Sequence, residues 1–218
     1  QFVTPNFEDL LTINNLGVVT AATSDTFDDY APWAWQPYTG VMTPGKGYAI
    51  MAPTTGTFPR METRTFTGIG IFNKFNNGII TVPLALSANA TVTTDDYNLV
   101  GNPYPSAIFA NDFINANLPN ISGTIYFWTH NSAISGGNPG NSGLNHTTND
   151  YAMYNLTGSV ATSTACLTCG AAPTGYIPSG QGFLVEAEND VTSVVFNNSM
   201  RSNTYINNDF YRSSTPST

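Results

Sequence analysis

Charged side chains are scarce in this sequence. Of its 218 residues only 9% are charged, whereas an ordinary soluble domain has about 25%. The six basic residues are scattered, and against fourteen acidic ones they leave a formal net charge of −8. Because binding to a nucleic-acid backbone requires clustered Lys and Arg that release counterions, we expect no nucleic-acid partner.

Long apolar runs are also missing. No stretch approaches the roughly 18 apolar residues of a membrane-spanning helix, so we expect no membrane insertion. Neither an initiator Met nor a signal peptide is present, and we therefore expect Gln1 to begin an excised piece of a longer protein. Asn, Thr, Ser, Gly and aromatic residues are abundant instead, which favours an all-β fold and an extracellular or cell-surface location.

Cysteine is limited to two residues, Cys166 and Cys169. In a secreted chain this spacing predicts a local disulfide across a surface loop. A free thiol pair is the alternative, and a zinc site would need both His130 and His146 as further ligands. Thioredoxin-like chemistry is disfavoured because no βαβ pattern surrounds the pair.

Two segments of the chain repeat one pattern. Residues 38–52 align with residues 173–187, and the identical pairs are Thr39/Thr174, Gly40/Gly175, Gly45/Gly180, Gly47/Gly182 and Ala52/Ala187. Such agreement indicates internal duplication. We predict a first repeat over 1–92, truncated at its N-terminus, and a second over 93–212 that carries an inserted Gly/Asn-rich loop at 131–149. We expect residues 213–218 to be a linker.

Local signals define the elements of each repeat. Asn6 can cap a short helix at 7–11, and Asn111 or Asp112 can cap a second at 113–117, which Pro119 ends. The Asn77-Gly78 pair within 75–82 predicts a hairpin. Together with an apolar strand at 191–196, these signals predict an antiparallel β-sandwich, as one sandwich or two lobes, built from two internal repeats with two short helices.

Four phrases of the sequence resemble a known class of protein. They are NLVGNPYPSAI at 98–108, GTIYFWTHN at 123–131, IPSGQGF at 177–183 and FNNSMR at 196–201. They resemble large secreted proteins of Bacteroidota, especially flavobacteria, exported by the type IX secretion system. The resemblance implies a segment of a long, adhesin-like surface protein, and it implies no catalytic residue.

The Gly-Asn-Pro-Tyr-Pro phrase at 101–105 also has a physical interpretation. Pro103 and Pro105 fix their own φ angles and restrict the residues before them, so the preceding strand must end sharply. We expect a rigid corner with a structural role; a cis Tyr104-Pro105 bond is one option for it.

Catalytic patterns are weak. The sequence has no Gly-x-Ser-x-Gly elbow, and both histidines lie in or beside the inserted loop. Carboxylate pairs such as Asp112 with Asp150, or Glu186 with Glu188, suit a glycosidase only if they face a cleft, and solvated positions are the simpler interpretation. We predict that the chain is not an enzyme.

Calcium is the one cofactor that the sequence suggests. Asp25, Asp28 and Asp29 could bind Ca²⁺ in a surface loop, but their spacing is not that of an EF-hand, and a solvated acidic turn is the alternative.

Alternating aromatic residues suggest a carbohydrate platform. Trp33 and Trp35 share one strand face near Tyr38, and Tyr126 and Trp128 do the same in the second repeat. Exposed rings stack on sugars. The opposing interpretation is that these rings form the core face of a sandwich.

These patterns converge on a non-enzymatic extracellular module of a secreted adhesin or filament, acting in adhesion or as a spacer. Its partners would be a surface glycan or protein, or neighbouring domains or copies of the same protein. One alternative is a carbohydrate-binding module of a secreted enzyme. A second is a subunit that self-associates through β-edges, because few charges guard its strands.

Overall fold

The fold is taken from a computed structural model of the chain. The parts that the structure describes are residues 18–21, 35–37, 42–50, 75–84, 97–128, 135, 150–161, 172–188 and 193–207.

The largest element is a five-stranded antiparallel sheet. In spatial order its strands are β5 (Tyr97–Gly101), β11 (Gly182–Ala187), β7 (Ile121–Trp128), β8 (Tyr151–Asn155) and β9 (Gly158–Val160). Side chains along β11 alternate in burial, with Phe183, Val185 and Ala187 all buried. Because successive strand residues point to opposite faces, one face of the sheet is turned towards the core.

A single described helix, α1 (Ala110–Asn117), covers this face. Its buried residues Ala110, Phe113, Ile114 and Asn117 recur at helical spacing and form one stripe. The Phe113 ring meets Phe183 edge-on, with ring centroids 5.2 Å apart. The helix is therefore held by its apolar side.

A two-stranded ribbon completes the core beside α1. Strand β4 (Ile80–Pro83) pairs with β12 (Ser193–Phe196), and Phe196 lies 4.9 Å from Phe113 between ring centroids. Residues of this ribbon, of α1 and of the five-stranded sheet form one buried cluster.

Three smaller groups of elements complete the described structure. Strand β6 (Ile108–Phe109) pairs with β10 (Tyr176–Ile177). A 3-10 turn follows β12 at Asn198–Met200. In a separate three-stranded sheet β1 (Val18–Ala21) lies between β2 (Trp35–Pro37) and β3 (Ala49–Ile50). Within the described ranges, no helix has the length and apolar character needed to cross a membrane.

The predicted all-β class is confirmed in its coarse form, since the described residues are mostly antiparallel strands with one helix. The predicted helix at 7–11 lies outside the described residues. The inserted loop at 131–149 is described only at Ser135, and the linker at 213–218 not at all. The predicted strand at 191–196 is confirmed over 193–196 as β12, and residues 191–192 lie outside the described residues.

The start of the second helix differs from the prediction. Neither Asn111 nor Asp112 caps it, because the helix begins at Ala110 and Phe109 occupies the N-cap without a side-chain hydrogen bond. The Ala110 N–H donates instead to the Gly175 carbonyl at 2.8 Å. A backbone carbonyl that is distant in sequence therefore accepts the first unpaired N–H of the helix, in place of the expected side-chain cap. The helix ends before Pro119, as predicted.

The predicted hairpin around Asn77 and Gly78 is wrong. Residues 75–79 form no strand, and β4 pairs with β12 from the end of the described chain. The Gly78 N–H donates to the Asn198 Oδ1 at 3.2 Å. Long-range pairing with an apolar strand has thus replaced the local turn geometry.

Candidate functional site

Two turns of the same construction flank the end of β5. In the turn at 43–46 the Lys46 N–H donates to the Thr43 carbonyl at 3.1 Å, and in the turn at 178–181 the Gln181 N–H donates to Pro178 at 3.1 Å. We call these two segments the glycine turns, because the third residue of each is a glycine, with φ of 81° in the first and 75° in the second. A positive φ at this position is typical of a type II turn.

The first glycine turn lies against one side of β5. The Gly47 N–H donates to the Leu99 carbonyl at 2.9 Å, and the Gly101 N–H donates to Gly45 at 2.9 Å. A Cβ on Gly47 would lie 2.3 Å from the Leu99 Cγ, and one on Gly45 would lie 2.4 Å from the Val82 Cγ2. Only glycine permits this close approach of the two backbones.

The second glycine turn lies against residues 101–106, which we call the Asn102 corner. Its Gly180 N–H donates to the Asn102 carbonyl at 3.2 Å, and the Asn102 N–H donates to Gln181 at 3.0 Å. The end of β5 is therefore held on both sides, by one glycine turn from each predicted repeat.

The Asn102 side chain lies at the centre of this corner and is buried. Its Nδ2 donates to the carbonyls of Ser106 at 2.9 Å, Ile177 at 2.8 Å and Pro178 at 3.1 Å. Its Oδ1 accepts from the Tyr104 N–H at 3.0 Å. One amide thus fixes the bend between Pro103 and Pro105 and attaches it to the second glycine turn.

Tyr104 extends the corner towards residues 75–79. Its ring is buried, and its hydroxyl donates to the Gly78 carbonyl. Burial raises the pKa of Tyr104, and the charge of Arg201 acts in the opposite direction. The Ser179 hydroxyl donates to the Tyr104 carbonyl at 2.7 Å, which adds a further bond to the second glycine turn.

Arg201 closes the outer side of the corner. Its guanidinium carbon lies 4.8 Å from the centroid of the Tyr104 ring, a cation–π distance. Its Nε donates to the Ser106 hydroxyl at 2.8 Å, and one terminal nitrogen donates to Asn198 at 3.1 Å and to Asn77 at 3.3 Å. Three segments that are distant in sequence, 75–79, 101–106 and 198–201, therefore meet at Arg201.

The chemistry of the corner is that of mutual hydrogen bonding. Amides, hydroxyls, a phenol and a guanidinium satisfy one another and the backbone, and a satisfied network of this kind makes a local structure rigid. The Tyr104-Pro105 bond is trans, since Leu118-Pro119 is the cis peptide bond of the described residues.

A second feature is a surface group of three rings, Phe109, Tyr176 and Tyr205, which we call the aromatic cluster. Ring centroids are 5.6 Å apart for Phe109 and Tyr176, 5.9 Å for Phe109 and Tyr205, and 5.2 Å for Tyr176 and Tyr205. All three residues are partly exposed. The cluster joins β6, β10 and the turn that follows the 3-10 helix.

The residues predicted as ligands for sugar fall into two groups. Tyr126 and Trp128 lie on β7, where Tyr126 is 8% exposed and packs edge-on against Tyr97 with centroids 5.6 Å apart, and Trp128 is half-buried. Trp35 begins β2, opposite Ala21. Its side chain, together with Trp33 and Tyr38, lies outside the described residues.

The predicted calcium and disulfide residues also lie outside the described residues. They are Asp25, Asp28 and Asp29 for calcium, and Cys166 and Cys169 for the disulfide. In the part of the chain that the structure describes, no three or more His, Cys, Asp or Glu side chains form a metal-binding group.

Sequence reasoning missed the aromatic cluster. Its signal was present in part, because Ile108-Phe109 and Tyr176-Ile177 each place one apolar side chain on either face of a strand. The third ring, Tyr205, comes from a polar stretch without periodicity, so nothing local indicates its position. The Asn102 partners are likewise distant in sequence.

The fold and the corner define a class of protein, an antiparallel β domain whose described part has one core helix and whose strands are joined by a buried amide network. The chain belongs to the family described as a domain of unknown function, DUF8693, which matches residues 17–218. Comparisons with curated proteins and with solved structures found no match.

Proposed function

We propose that this chain is a non-enzymatic extracellular module of a secreted surface adhesin or filament, of the type that Bacteroidota export by type IX secretion, and that it acts chiefly as a stiff spacer. The observation that carries this proposal is the Asn102 amide, which holds β5, the Asn102 corner and the second glycine turn in one network. Adhesion through neighbouring domains, surface glycans or surface proteins would use that stiffness to present a binding face.

A spacer must keep its shape when its ends are pulled apart. Contacts between segments that are distant in sequence resist such extension, because they must break before chain is released. The bond from Asn102 to Ile177 joins segments 75 residues apart, and the bond from Arg201 to Asn77 joins segments 124 residues apart. Both lie in the same corner, which supports a mechanical role.

The proposal includes a β-sandwich built from two internal repeats. The shared geometry of the two glycine turns supports it, since each closes with a bond of 3.1 Å and each precedes a strand. Strands from both sides of the predicted boundary at residue 92 also pair, as β4 does with β12. In this arrangement the two repeats share one structural unit.

Single-molecule force spectroscopy on the full 218-residue chain, tethered at both ends, tests the spacer role. We expect Asn102→Ala to lower the unfolding force clearly, while Asn115→Ala, the same change at an exposed helix position, leaves it unchanged. A folded Asn102→Ala protein that unfolds at the wild-type force would refute the proposal. Labelling of intact producing cells with an antibody tests the surface location.

Calcium enters the proposal as an optional stabiliser at Asp25, Asp28 and Asp29. A metal that binds only the folded state raises the melting temperature in proportion to its occupancy. Thermal melts in calcium and in chelator should therefore differ for the wild-type chain and coincide for an Asp28→Asn, Asp29→Asn double variant. Coincident wild-type melts would remove calcium from the proposal.

Self-association is a second candidate function, favoured by the exposed strand β9. All three of its residues are exposed, none is charged, and Val160 is 55% exposed. Two other described strand edges have partners: Gly45 and Gly47 lie along β5, and the Asn117 amide bonds both the N–H and the carbonyl of Val195 in β12. Size-exclusion chromatography over a range of concentrations, with Val160→Lys as the blocking variant, decides between a monomer and a β-edge assembly.

A further inference from the structure

The position of the aromatic cluster follows from the alternation of side chains between the two faces of two short strands, β6 and β10. Phe109 pairs with Tyr176, and Ile108 pairs with Ile177. Both isoleucines are completely buried. Because neighbouring strand residues point to opposite faces, Phe109 and Tyr176 lie side by side on the outer face of this ribbon.

The third ring is held against the first two by its own turn. The Tyr205 N–H donates to the Ser202 carbonyl at 3.3 Å, and two residues later the Asn207 Oδ1 accepts from the Ser179 N–H at 2.8 Å. The rings are inclined to one another by 37° to 46°. They are therefore ordered before any ligand arrives, which reduces the entropy lost on binding.

Polar groups surround the cluster. Asp112 lies in the first turn of α1, three residues after Phe109. Burial raises the pKa of Tyr205, and the charges of Asp112 and Tyr176 raise it further. The Thr174 hydroxyl accepts from the Tyr176 N–H at 3.4 Å, so it borders the second ring. The rim thus offers a carboxylate, an aliphatic hydroxyl and two phenol hydroxyls.

Supporting contacts fix the rim from below. The Tyr154 hydroxyl donates to the Asn111 Oδ1 at 2.8 Å, beside Asp112 at the start of α1. Gly175, with φ of 90°, lets Tyr154 pack so closely that a Cβ there would lie 2.7 Å from its hydroxyl oxygen. The first turn of the helix and β10 are thereby held in register under the rings.

Among the described residues, the charge around the cluster disfavours an anionic ligand. Asp112 is acidic, and the described basic residues are Lys46, which lies at the first glycine turn, and Arg201, whose guanidinium is held by Tyr104, Ser106, Asn77 and Asn198. A phosphorylated, sulfated or uronic ligand would meet no cation on the described rim. A purely apolar ligand would leave the carboxylate without a partner.

We infer that the aromatic cluster, Phe109, Tyr176 and Tyr205 with the rim residues Asp112 and Thr174, is a binding site for a neutral hexose-based oligosaccharide. Sugar C–H faces stack on the rings, and sugar hydroxyls donate to Asp112 and exchange hydrogen bonds with Thr174 and the phenols. This site is separate from Trp33, Trp35, Tyr38, Tyr126 and Trp128, and it does not depend on the spacer role.

Calorimetric titration of the full chain with a panel of neutral hexa-oligosaccharides, of β-1,4-glucose, β-1,3-glucose, β-1,4-mannose and β-1,4-xylose units, tests the site. The pentose-based xylose oligomer serves as the off-class member. At least one hexose oligomer should bind, and Tyr205→Ala and Tyr176→Ala should each weaken its Kd about tenfold or more, the loss of one stacking ring. Phe75→Ala, the same truncation at a ring that is 81% exposed on residues 75–79, should leave Kd unchanged.

Further variants separate a structural effect from a ligand contact. Tyr205→Phe keeps the ring and should retain most of the affinity, whereas Asp112→Asn keeps the shape and should weaken binding about threefold or more. Circular dichroism and thermal melts check that each variant is folded. Binding to the neutral oligosaccharide should not change with added salt, because no ionic attraction is involved.

Three outcomes would overturn the inference. The first is a folded chain that binds no hexose oligomer in the panel. The second is binding that survives both Tyr176→Ala and Tyr205→Ala, which would place the sugar elsewhere. The third is salt-sensitive binding of an arginine-rich peptide at the cluster in place of any sugar, which would identify a cationic protein partner.

Discussion

The side-chain amide of Asn102 donates a hydrogen bond to the main-chain carbonyl of Ile177, 2.8 Å away. Asn102 follows the last residue of β5, and Ile177 is the last residue of β10. A single buried amide therefore connects the five-stranded sheet to the β6–β10 ribbon. The same ribbon carries two rings of the aromatic cluster on its outer face, so the corner also positions that surface.

Replacement of Asn102 by Ala should destabilise the protein by about 3 kcal/mol, because it removes the donor for two buried carbonyls and the acceptor for the Tyr104 N–H. Urea denaturation at pH 7 measures the change. The exposed Asn115→Ala variant controls for loss of an asparagine side chain and should stay within about 0.5 kcal/mol of wild type.

Asn102→Asp sharpens this test because it keeps the shape and removes the N–H donors. A buried carboxyl has a raised pKa. The cost of ionising this carboxyl in the folded state is therefore absent below its unfolded-state pKa of about 3.9 and grows as the pH rises above that pKa. Asn102→Asp should be less destabilised at pH 4 than at pH 7. Equal destabilisation at both values would show that the introduced carboxyl has the same pKa in the folded and unfolded states, and so is not buried at the corner.

The corner itself could be predicted from the sequence, because Pro103 and Pro105 restrict their own φ angles wherever they occur. Its partners could not. Ile177 and Pro178 lie far along the chain, and no local pattern in 101–105 encodes the hydrogen bonds that reach them. The repeat alignment did single out both glycine turns, yet only the fold shows that they lie on either side of β5.

Two local predictions failed for the same physical reason. Asn77-Gly78 is a strong hairpin signal, but the apolar face of β12 provides Val194 and Phe196 as better partners for β4 than a local strand. Asn111 is a good N-cap residue, but the Gly175 carbonyl takes the first N–H of α1. Tertiary contacts outweighed local propensities of about 1 kcal/mol in both places.

The two glycine turns offer a matched pair of substitutions. Gly45→Ala and Gly180→Ala both place a Cβ at a positive φ, which costs about 1 kcal/mol. A Cβ at Gly180 meets nothing within 4 Å, whereas one at Gly45 would lie 2.4 Å from the Val82 Cγ2. Gly45→Ala should therefore lower the free energy of unfolding more than Gly180→Ala does, with a total loss of about 2 kcal/mol. Equal losses of unfolding free energy in the two variants would show that β4 shifts away from the added Cβ at residue 45 without cost.

Alkaline pH should destabilise the protein through Tyr104. Burial raises its pKa above the ordinary 10.0, so the unfolded state loses its proton first. Stability should be constant with pH below that value and should fall above it, by up to about 1.4 kcal/mol per pH unit for this one group. Tyr104→Phe should show a shallower fall in urea denaturation between pH 9 and 11. Tyr126 and Tyr154 also have raised pKa values, so part of the fall should remain.

An unchanged alkaline profile in Tyr104→Phe would show that the phenol is ionised equally in both states. At pH 7 the same variant should lose about 1 kcal/mol, because the Gly78 carbonyl loses its donor. The two effects have opposite signs at high pH, and the curves of wild type and variant should therefore converge as the pH rises.

Arg201 and Ser106 should be energetically coupled. The Arg201 Nε donates to the Ser106 hydroxyl at 2.8 Å, and the guanidinium carbon lies over the Tyr104 ring. In a double-mutant cycle of Arg201→Gln and Ser106→Ala we expect an interaction energy of about 1 kcal/mol. Arg201→Lys should not restore it, because an ammonium cannot both stack on the ring and donate in the fork geometry of a guanidinium.

A cycle of Arg201→Gln with the distant Asn115→Ala should be additive. If the Ser106 cycle were additive as well, Arg201 would act on the corner through Tyr104, Asn77 and Asn198 and not through Ser106. Arg201→Met, which keeps a similar shape without charge or donors, would then measure how much of this comes from covering the Tyr104 ring.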